Sequence, residues 1–303
     1  MKLIKPSFEI WNQPAGLEGV YKQIERVGRV CYKSEDKITE DSAKPFVDRM
    51  IKSGHGAMLE HGTVYLKVFN VIENSELIDK YKSNKYSVVK EGTEVYNCHG
   101  DILYGSCKCI TTNYRVLVEN GWLDDLKYIC EPTEYHEKRI TVHFACDRGV
   151  SHEFVRHRVM SFAQESTRYC NYSKDKFSNE LTFIEPCWLE DYNYKDNTYN
   201  QLFIDSLRFA EAHYLDLLKK WDDKIPDKRY KTGFRNNPWA PQQARAVLPN
   251  ALKTELVVTG FTSDWNHFFD LRARGTTGAP HPQAKELAEP LMKEFIARKY
   301  INN

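Results

Sequence analysis

Apolar residues recur along this chain with two different periods, and this mixture is the strongest constraint on its fold. Between residues 17 and 31 they lie three and four positions apart, which is the period of a helix with one buried face. Residues 63–69 (TVYLKVF) and 140–146 (ITVHFAC) alternate instead between apolar and polar, as half-buried strands do. We therefore predict the α+β class, with a mixed or antiparallel sheet flanked by helices.

Further helices are indicated by the same periodicity and by residues that favour helix ends. Asp41 is a candidate N-cap for a helix over residues 42–52, and Gly54 follows the end of that helix. Asp147 is a candidate N-cap for a helix that leads into a basic triplet at residue 156. The remaining predicted helices span residues 202–221, 239–248, 264–273 and 282–299.

Residues 70–138 follow neither period clearly. They mix charges, glycines and short apolar runs, and only the stretch from Arg115 to Glu119 reads as a regular element. We interpret residues 70–138 as an insertion. No linker rich in Pro, Gly or Ser divides the chain, so we expect residues 1–303 to form a single domain that contains this insertion.

Composition excludes several classes of protein. Lys plus Arg number 43 against 42 for Asp plus Glu, so no general attraction to nucleic acid is expected. No apolar run approaches the roughly 20 residues that span a bilayer, and the first residues lack the apolar core of a secretion signal. The eight cysteines are scattered and are expected to be reduced. We therefore expect a cytoplasmic protein with no membrane partner.

Three possible cations stand in a row at Arg156, His157 and Arg158. Because they repel one another, such a row is favourable only at a helix C-terminus or beside a bound anion. Glu153 precedes the row by three and four positions, so it shares their face if the helix continues. Donors that can surround a phosphate and a pyrimidine edge follow at Ser161, Gln164, Ser166 and Arg168. For the triplet alone, a solvated basic helix end is the alternative.

The stretch RHRVMSFAQESTRY, from Arg156 to Tyr169, resembles the signature of the flavin-dependent thymidylate synthases. The family pattern is Arg-His-Arg, two residues, Ser, and later Ser, any residue, Arg-Tyr, and the chain meets it at seven fixed positions. Ala163 departs from the Asn that the family often has there. Shorter similar segments are RVCYKSED, SGHGAMLEHGTVYLKV, ARAVLP and FFDLRA, so the resemblance extends over most of the chain outside residues 70–138.

The resemblance implies an activity and a set of ligands. It implies an FAD-dependent methyltransferase that converts dUMP to dTMP, with methylenetetrahydrofolate as the carbon donor. It implies that NADPH reduces the bound FAD and that the flavin then supplies the hydride. It also implies the fold of this family and a homotetramer whose active sites are shared between subunits.

The resemblance further implies roles for individual residues. Flavin contacts are implied for His55, Arg156, His157, Arg158, Gln164 and His267. Binding of dUMP is implied for Glu153, Arg156, Gln164, Ser166, Thr167, Arg168, Arg245 and Arg272. Arg272 is the implied catalytic residue, because a guanidinium stabilises negative charge that develops on the uracil ring. Ser166 is an obvious nucleophile candidate, but no Asp or His is placed by sequence to activate it, so we expect a binding role.

Two groups of residues raise the question of a metal. Cys98, His99, Cys107 and Cys109, joined by Cys146 or His143, have the composition of a zinc site but not the paired CxxC spacing. His55, Glu60 and His61 lack the HExxH spacing of a metalloprotease. We therefore predict no bound metal.

Two other functions stay open at this point. A nucleic-acid-binding module would use the arginines at 156, 158, 168, 272 and 274, although the chain carries no known reader motif. A degenerate family member would bind the nucleotide without catalysis. Copurified FAD favours the enzyme, whereas a colourless protein with salt-sensitive nucleic-acid binding favours the module.

Overall fold

The computed structural model describes residues 1–69, 73–98, 101–189, 198–219 and 238–302. In these ranges no helix is both long enough and apolar enough to cross a membrane. The strands are β1 (Lys2–Ile4), β2 (Ser7–Trp11), β3 (Thr63–Val68), β4 (Val88–Cys98), β5 (Asp101–Asn113), β6 (Arg139–Asp147), β7 (Ser161–Gln164), β8 (Thr182–Ile184) and β9 (Lys253–Phe261). The helices are α1 (Gly16–Tyr32), α2 (Ala43–Lys52), α3 (Gly56–Leu59), α4 (Ser75–Lys82), α5 (Tyr114–Asn120), α6 (Arg148–Phe154), α7 (Thr198–Leu218), α8 (Pro241–Ala244), α9 (Thr262–Phe269) and α10 (Pro282–Ala297).

The strands form two antiparallel sheets and one short parallel pair. The larger sheet has the order β2-β6-β9-β7, and the smaller has the order β3-β5-β4. The pair β1-β8 is parallel. Helices pack on these sheets, so the predicted α+β class with sheets flanked by helices is confirmed.

Most predicted elements lie where the hydrophobic periodicity placed them. Helix α1 covers the predicted residues 17–31, α2 covers 43–52, and β3 and β6 match the two alternating stretches. Asp147 is the N-cap of α6, because its Oδ1 accepts a hydrogen bond of 2.8 Å from the backbone N–H of Val150. The predicted cap at Asp41 is wrong, since Ser42 holds the N-cap position of α2.

The predicted helices in the second half of the chain are partly corrected. Residues 239–248 form only the short α8 and a 3₁₀ turn at 245–247, which ends where Pro249 removes a backbone donor. Residues 264–273 divide between α9 and a π-helical turn at 270–274. Helix α7 ends at Leu218, and Trp221 of the predicted helix lies outside the described residues.

Residues 70–138 are more regular than their sequence suggested. The predicted element at Arg115 to Glu119 is confirmed as α5. The long strands β4 and β5 pair with each other along their whole length, and β5 also pairs with β3. This segment therefore completes the smaller sheet and contributes Ile78, Tyr81, Ile110 and Leu117 to the hydrophobic core beneath it.

An aromatic cluster lies on the larger sheet and joins α6 to α9. Phe154 of α6 and Phe268 of α9 meet edge to face with ring centroids 4.9 Å apart. Both rings are fully buried; Phe144 of β6 contacts Phe154, and Trp265, one turn earlier on α9, contacts Phe268. Edge-to-face aromatic pairs are directional contacts, so this cluster holds the C-terminal ends of the two helices side by side.

Helices α1 and α2 approach each other closely at Gly28. A Cβ atom at Gly28 would lie 2.5 Å from Cζ and 2.7 Å from Cε1 of Phe46, a buried ring of α2. This position therefore requires glycine for packing, although glycine is a poor helix former.

We expect Gly28→Ala to lower the free energy of unfolding by about 1–3 kcal/mol, because overpacking outweighs the gain in helix propensity. Urea unfolding measures this change. Phe46→Leu makes room for the methyl group, so the two substitutions should cost less together than the sum of their separate effects. Additive effects, or a stabilised Gly28→Ala variant, would contradict this interpretation of the packing.

Candidate active site

The basic triplet lies in a turn between α6 and β7. Helix α6 ends at Phe154, so the helix does not continue through Arg156 and the helix face predicted for the triplet is absent. The backbone N–H of His157 still donates to the carbonyl of Phe154 at 3.2 Å. The turn thereby directs the side chain of His157 inward, where it is 4% exposed, while Arg156 and Arg158 are exposed.

Arg272 connects the π-helical turn after α9 to the end of α6 and the turn that follows it, more than 110 positions earlier in the chain. Its Nη1 donates to Oε2 of Glu153 at 2.6 Å, and its Nη2 donates to the carbonyl of Glu153 at 3.1 Å. Its Nε donates to Nε2 of His157 at 3.0 Å. The guanidinium thus binds a carboxylate, a carbonyl and an imidazole at once, with the fork geometry that only arginine has.

His157 is held in its neutral form. Burial lowers the pKa of its imidazole to about 4, and the positive charges of Arg272 and His267 add to this effect. Because Nε2 accepts from Arg272, the ring hydrogen of the neutral form is assigned to Nδ1. Nδ1 is buried and has no hydrogen-bond partner among the described residues. The site therefore contains a buried N–H donor that is free for a ligand acceptor.

Of the other residues implied to contact the flavin, some lie near this donor and others do not. The ring of His267 lies 5.9 Å from that of His157, centroid to centroid, and is exposed. The side chains of Arg156 and Arg158 form no ion pair with any described residue. His55 stands at the N-terminus of α3 and is exposed as well. The structure thus brings His157, His267 and Arg272 together, and it does not link His55 to them.

Gln164 is bonded to α6, the helix that precedes the triplet. Its Nε2 donates to Oγ of Ser151 at 2.8 Å and to Oγ1 of Thr254 at 3.2 Å. These bonds use both hydrogens of the amide and leave its carbonyl oxygen as an acceptor. Strand β7, which ends at Gln164, pairs with β9.

The implied phosphate-binding residues form a second group after β7. Nη1 of Arg245 donates to Oγ1 of Thr167 at 3.3 Å, although 78 positions separate the two residues. Oγ of Ser166 accepts from the backbone N–H of Arg168 at 3.3 Å, and no hydrogen bond joins it to a His, Asp or Glu side chain in the described part of the chain. This arrangement agrees with a binding role for Ser166, because nothing next to it can act as its base.

A buried ion network that the sequence analysis missed anchors this group. Glu165 is 2% exposed, and its carboxylate accepts from the hydroxyl of Tyr172 at 2.8 Å and from Nζ of Lys253 at 3.0 Å. Lys253 also bonds Glu255. Burial alone would raise the pKa of the Glu255 carboxyl, but the hydrogen bond with His143 and the charges of Lys253 and Lys33 hold it well below its usual range. No local pattern in the sequence signals this network, because Lys253 lies 88 positions from Glu165.

Neither of the two groups suggested as metal sites is assembled among the described residues. Cys107 and Cys109 are buried, whereas His99 and the side chain of Cys98 lie outside the described residues. Nδ1 of His61 pairs with Oγ1 of Thr259 at 2.8 Å, and burial lowers the pKa of this histidine to about 3. Among the described residues no group of three or more His, Cys, Asp or Glu side chains is placed to hold a metal ion.

A cavity of about 300 Å³ lies beside the signature. Val159 and Ser161 form one side of it, and residues of α5 form another, but Arg156, His157 and Arg272 are not part of its lining. A second cavity, of about 210 Å³, lies on the other side of Arg139 and is lined by none of the implied site residues.

The chain matches a protein family over its C-terminal half. The model of the family described as thymidylate synthase complementing protein matches residues 132–298, which is more than half of the chain. The N-terminal segments and residues 70–131 lie outside this match.

Curated relatives carry the same family assignment. The flavin-dependent thymidylate synthase of Mycolicibacterium gilvum is 36% identical over 126 residues, which is 42% of this chain and 46% of that protein. The flavin-dependent thymidylate synthase of Mycobacterium tuberculosis is 34% identical over 126 residues, with the same shares of the two chains. The chain therefore matches these relatives over about half of their length.

The comparison with solved structures found the UMP/dUMP methylase PolB of Streptomyces cacaoi. The form bound with 5-Br dUMP is 17% identical with a TM-score of 0.40, covering 98% of this chain and 93% of that chain. The form bound with 5-Br UMP is 14% identical with a TM-score of 0.42, covering 98% and 92%.

The lowered pKa of His157 predicts how stability depends on pH. The folded protein keeps this ring neutral down to about pH 4, whereas the unfolded chain protonates it near its usual value of 6.5. The unfolded state therefore binds more protons in this window, and His157 should lower the free energy of unfolding by about 2 kcal/mol between pH 7 and pH 4.5, in addition to the fall that the lowered pKa of His61 causes. Urea unfolding at several pH values measures the slope.

His157→Gln removes the titrating ring and should give a shallower slope over the same pH range. His61 and Glu255 are unchanged in this variant, so the difference between the two slopes isolates His157. Identical slopes would show that the ring is not held neutral in the folded protein.

Proposed function

Because the chain belongs to the thymidylate synthase complementing protein family, we propose that it is a flavin-dependent thymidylate synthase that converts dUMP to dTMP. The observation that carries this proposal is the triple contact of Arg272 with Glu153 and His157, next to the Arg-His-Arg turn. It joins an anion-binding turn to a guanidinium suited to stabilise a developing negative charge.

The residues of the turn fit a flavin, and we propose FAD as the cofactor. The free Nδ1–H of His157 suits a carbonyl or ring nitrogen of a flavin, and the exposed Arg156 and Arg158 suit its phosphates. Gln164 offers its amide oxygen, and His267 and His55 complete the proposed set. When bound, the flavin supplies the hydride, and NADPH and methylenetetrahydrofolate are the proposed co-substrates.

The second group of residues fits the phosphate of dUMP. Ser166, Thr167, Arg168 and Arg245 offer two hydroxyls and two guanidinium groups within one surface region, and the bond between Arg245 and Thr167 supports their common role. Glu153, Arg156 and Gln164 would frame the rest of the nucleotide. The ion network of Glu165 holds this region in place from below.

Arg272 is the proposed catalytic residue. Its bonds to Glu153 and His157 orient the guanidinium before any substrate arrives, so little reorganisation is needed when charge develops on the uracil. The neutral His157 lets Arg272 approach without repulsion. The proposal needs no protein nucleophile.

We also propose a homotetramer with shared active sites and a cytoplasmic location. Arg156, Arg158, Arg168 and Arg245 are exposed on one chain, and an anion bound there would be better enclosed by a second subunit. The location follows from the proposed substrates, which are nucleotides of the cytoplasm.

The direct test is the formation of dTMP from dUMP with FAD, methylenetetrahydrofolate and NADPH, and with each component omitted in turn. Yellow purified protein that contains FAD supports the proposal. A colourless protein that forms no dTMP and binds DNA or RNA in a salt-sensitive way would support the nucleic-acid-binding function instead.

Arg272→Ala should retain FAD and lower dTMP formation by about 10²–10³-fold, the usual cost of removing one group that stabilises a transition state. Absorbance of the bound flavin measures retention, and product formation measures turnover. Arg274→Ala is the matched control, since Arg274 is an exposed arginine of the same turn that pairs with Asp270. Normal turnover in Arg272→Ala would remove Arg272 from the mechanism.

Arg168→Ala should weaken dUMP binding by about tenfold or more while FAD content stays unchanged, because a phosphate contact with arginine contributes roughly 1.5–3 kcal/mol. Titration of dUMP against the flavin absorbance spectrum measures the dissociation constant. Lys176→Ala, which removes an exposed cation bonded to the carbonyl of Lys33, is the control. Equal losses of dUMP and FAD would contradict a phosphate-binding role.

A further inference from the structure

The turn after β7, residues 165–170, carries most of the proposed phosphate-binding residues and begins with a buried carboxylate. Glu165 is 2% exposed, and Ser166, the next residue, is proposed to contact the phosphate of dUMP. We propose that Lys253 is a positioning residue for this phosphate, because its ammonium neutralises Glu165 and thereby allows a second anion to bind at the same turn. This inference rests on the proposed function and extends it to a residue that acts without touching the ligand.

Backbone hydrogen bonds fix this turn between β9 and the end of α1. The N–H of Glu165 donates to the carbonyl of Glu255 at 2.8 Å, and the N–H of Ser166 donates to the carbonyl of Cys31 at 3.0 Å. The carbonyl of Ser166 accepts from the N–H of Cys170 at 2.9 Å. The turn therefore holds Glu165 and Ser166 in a fixed relation to each other.

Lys253 supplies the only positive charge that bonds Glu165 among the described residues. Its Nζ donates to Oε2 of Glu165 at 3.0 Å, and Oε1 of the same carboxylate accepts from the hydroxyl of Tyr172 at 2.8 Å. Burial and the charge of Glu165 raise the pKa of the Tyr172 hydroxyl, so Tyr172 is a neutral donor. Without Lys253 the carboxylate would keep its hydroxyl partner but would lose its counter-charge.

The other contacts of Lys253 show which carboxylate depends on it. Lys253 also bonds Glu255, but Glu255 has two further partners, Nζ of Lys33 at 2.9 Å and Nε2 of His143 at 2.9 Å. Burial alone would lower the pKa of the Lys253 ammonium, whereas its two carboxylate partners raise it, so Lys253 is charged near neutral pH. Loss of Lys253 would therefore leave Glu255 paired and Glu165 uncompensated.

Arg245 and Lys253 reach the turn from the two ends of one short segment, residues 245–253. Nη1 of Arg245 donates to Oγ1 of Thr167, and Nζ of Lys253 donates to Glu165, two positions earlier in the turn. Arg245 is exposed, whereas the side chain of Lys253 is 16% exposed. The exposed guanidinium can bind a phosphate directly, and the buried ammonium acts on it by cancelling the charge of Glu165.

The charge of the ligand makes this neutralisation important for affinity. A phosphate monoester carries about −1.5 to −2 charges near neutral pH. Buried charges are screened much less than exposed ones. An uncompensated Glu165 would therefore repel the phosphate, and the exposed guanidinium groups of Arg168 and Arg245 would offset only part of that repulsion. Lys253 should thus set the affinity for dUMP.

The experiment measures the dissociation constant of dUMP for the full-length protein by isothermal titration calorimetry, which needs no signal from a flavin. Lys253→Met should weaken dUMP binding by about tenfold or more, whereas Lys253→Arg keeps the charge and should stay within about threefold of wild type. Flavin content, measured by absorbance, should be unchanged in both. In Lys253→Met the KM for dUMP should rise with the dissociation constant, while kcat should change by less than about twofold.

Glu165→Gln separates neutralisation from a purely structural role. The amide keeps the shape of the side chain but removes the charge that Lys253 offsets. Glu165→Gln should therefore bind dUMP at least as tightly as wild type. The double variant Lys253→Met/Glu165→Gln should recover to within about threefold of wild type. A network that only holds the turn in shape predicts the opposite, because each substitution breaks a contact and the double variant should bind most weakly.

Lys80→Met is the matched control. Nζ of Lys80 lies 2.6 Å from a carboxylate oxygen of the buried Asp125, and this carboxylate also accepts from the hydroxyl of Tyr81 at 2.7 Å. These contacts repeat those around Glu165, but Tyr81 belongs to the core beneath the smaller sheet. Lys80→Met should lower the temperature of unfolding, as Lys253→Met does, and should leave dUMP binding unchanged.

Several outcomes would overturn the inference. Unchanged dUMP binding in Lys253→Met would do so, and so would a double variant that binds dUMP more weakly than Lys253→Met. Equal losses of dUMP affinity in Lys80→Met and Lys253→Met would show that the effect is one of stability alone. If Lys253→Met does not fold, a loss of dUMP affinity in Glu165→Gln overturns the inference. Wild type that binds no dUMP would instead defeat the proposed function.

Discussion

The contact of Arg272 with Glu153 and His157 is the interaction on which the rest of the site depends. One guanidinium holds the last turn of α6 and the turn that follows it through three hydrogen bonds. It does so because the aromatic pair Phe154–Phe268 already places the ends of α6 and α9 side by side. The hydrophobic core therefore sets the distance, and the polar contacts set the orientation.

The neutral and paired groups of the site are shielded from solvent, whereas its unpaired cations are exposed. His157 is buried and neutral, Arg272 is paired with a carboxylate, and the cations at Arg156, Arg158, Arg168 and Arg245 are exposed. A buried cluster of unpaired cations would cost several kcal/mol, so the chain keeps its excess positive charge at the surface until an anion binds. This arrangement is suited to ligands that bring negative charge, as a flavin nucleotide and dUMP both do.

Residues 70–138 change the interpretation of the whole molecule. In the sequence they interrupt the family resemblance, but in the structure β5 pairs with β3 and α5 reaches the cavity beside the signature. The segment thus belongs to the smaller sheet and forms one wall of that cavity. Arg115 of this segment bonds the carboxylates of Glu60 and Glu119 in the wall of that cavity.

Local patterns in the sequence were sufficient for most elements. The helices at residues 17–31 and 42–52, the strand at 140–146 and the cap at Asp147 depend on neighbouring residues only, and all are present. Local patterns failed where tertiary contacts override them. The helix did not continue through Arg156, and β4 and β5 were not recognised, because their pairing depends on partners elsewhere in the chain.

By itself, the sequence determined the chemical groups of the candidate site, since seven signature positions at fixed spacing identify the family resemblance and its implied ligands. Only the tertiary structure decided which of these groups meet. It joined Arg272 to Glu153 across 119 positions and Arg245 to Thr167 across 78, buried Glu165 next to the residues proposed to bind phosphate and opened a cavity against α5. The physical reason is that spacing along the chain governs contacts within one helix or strand, whereas contacts between elements follow from the packing of the hydrophobic core.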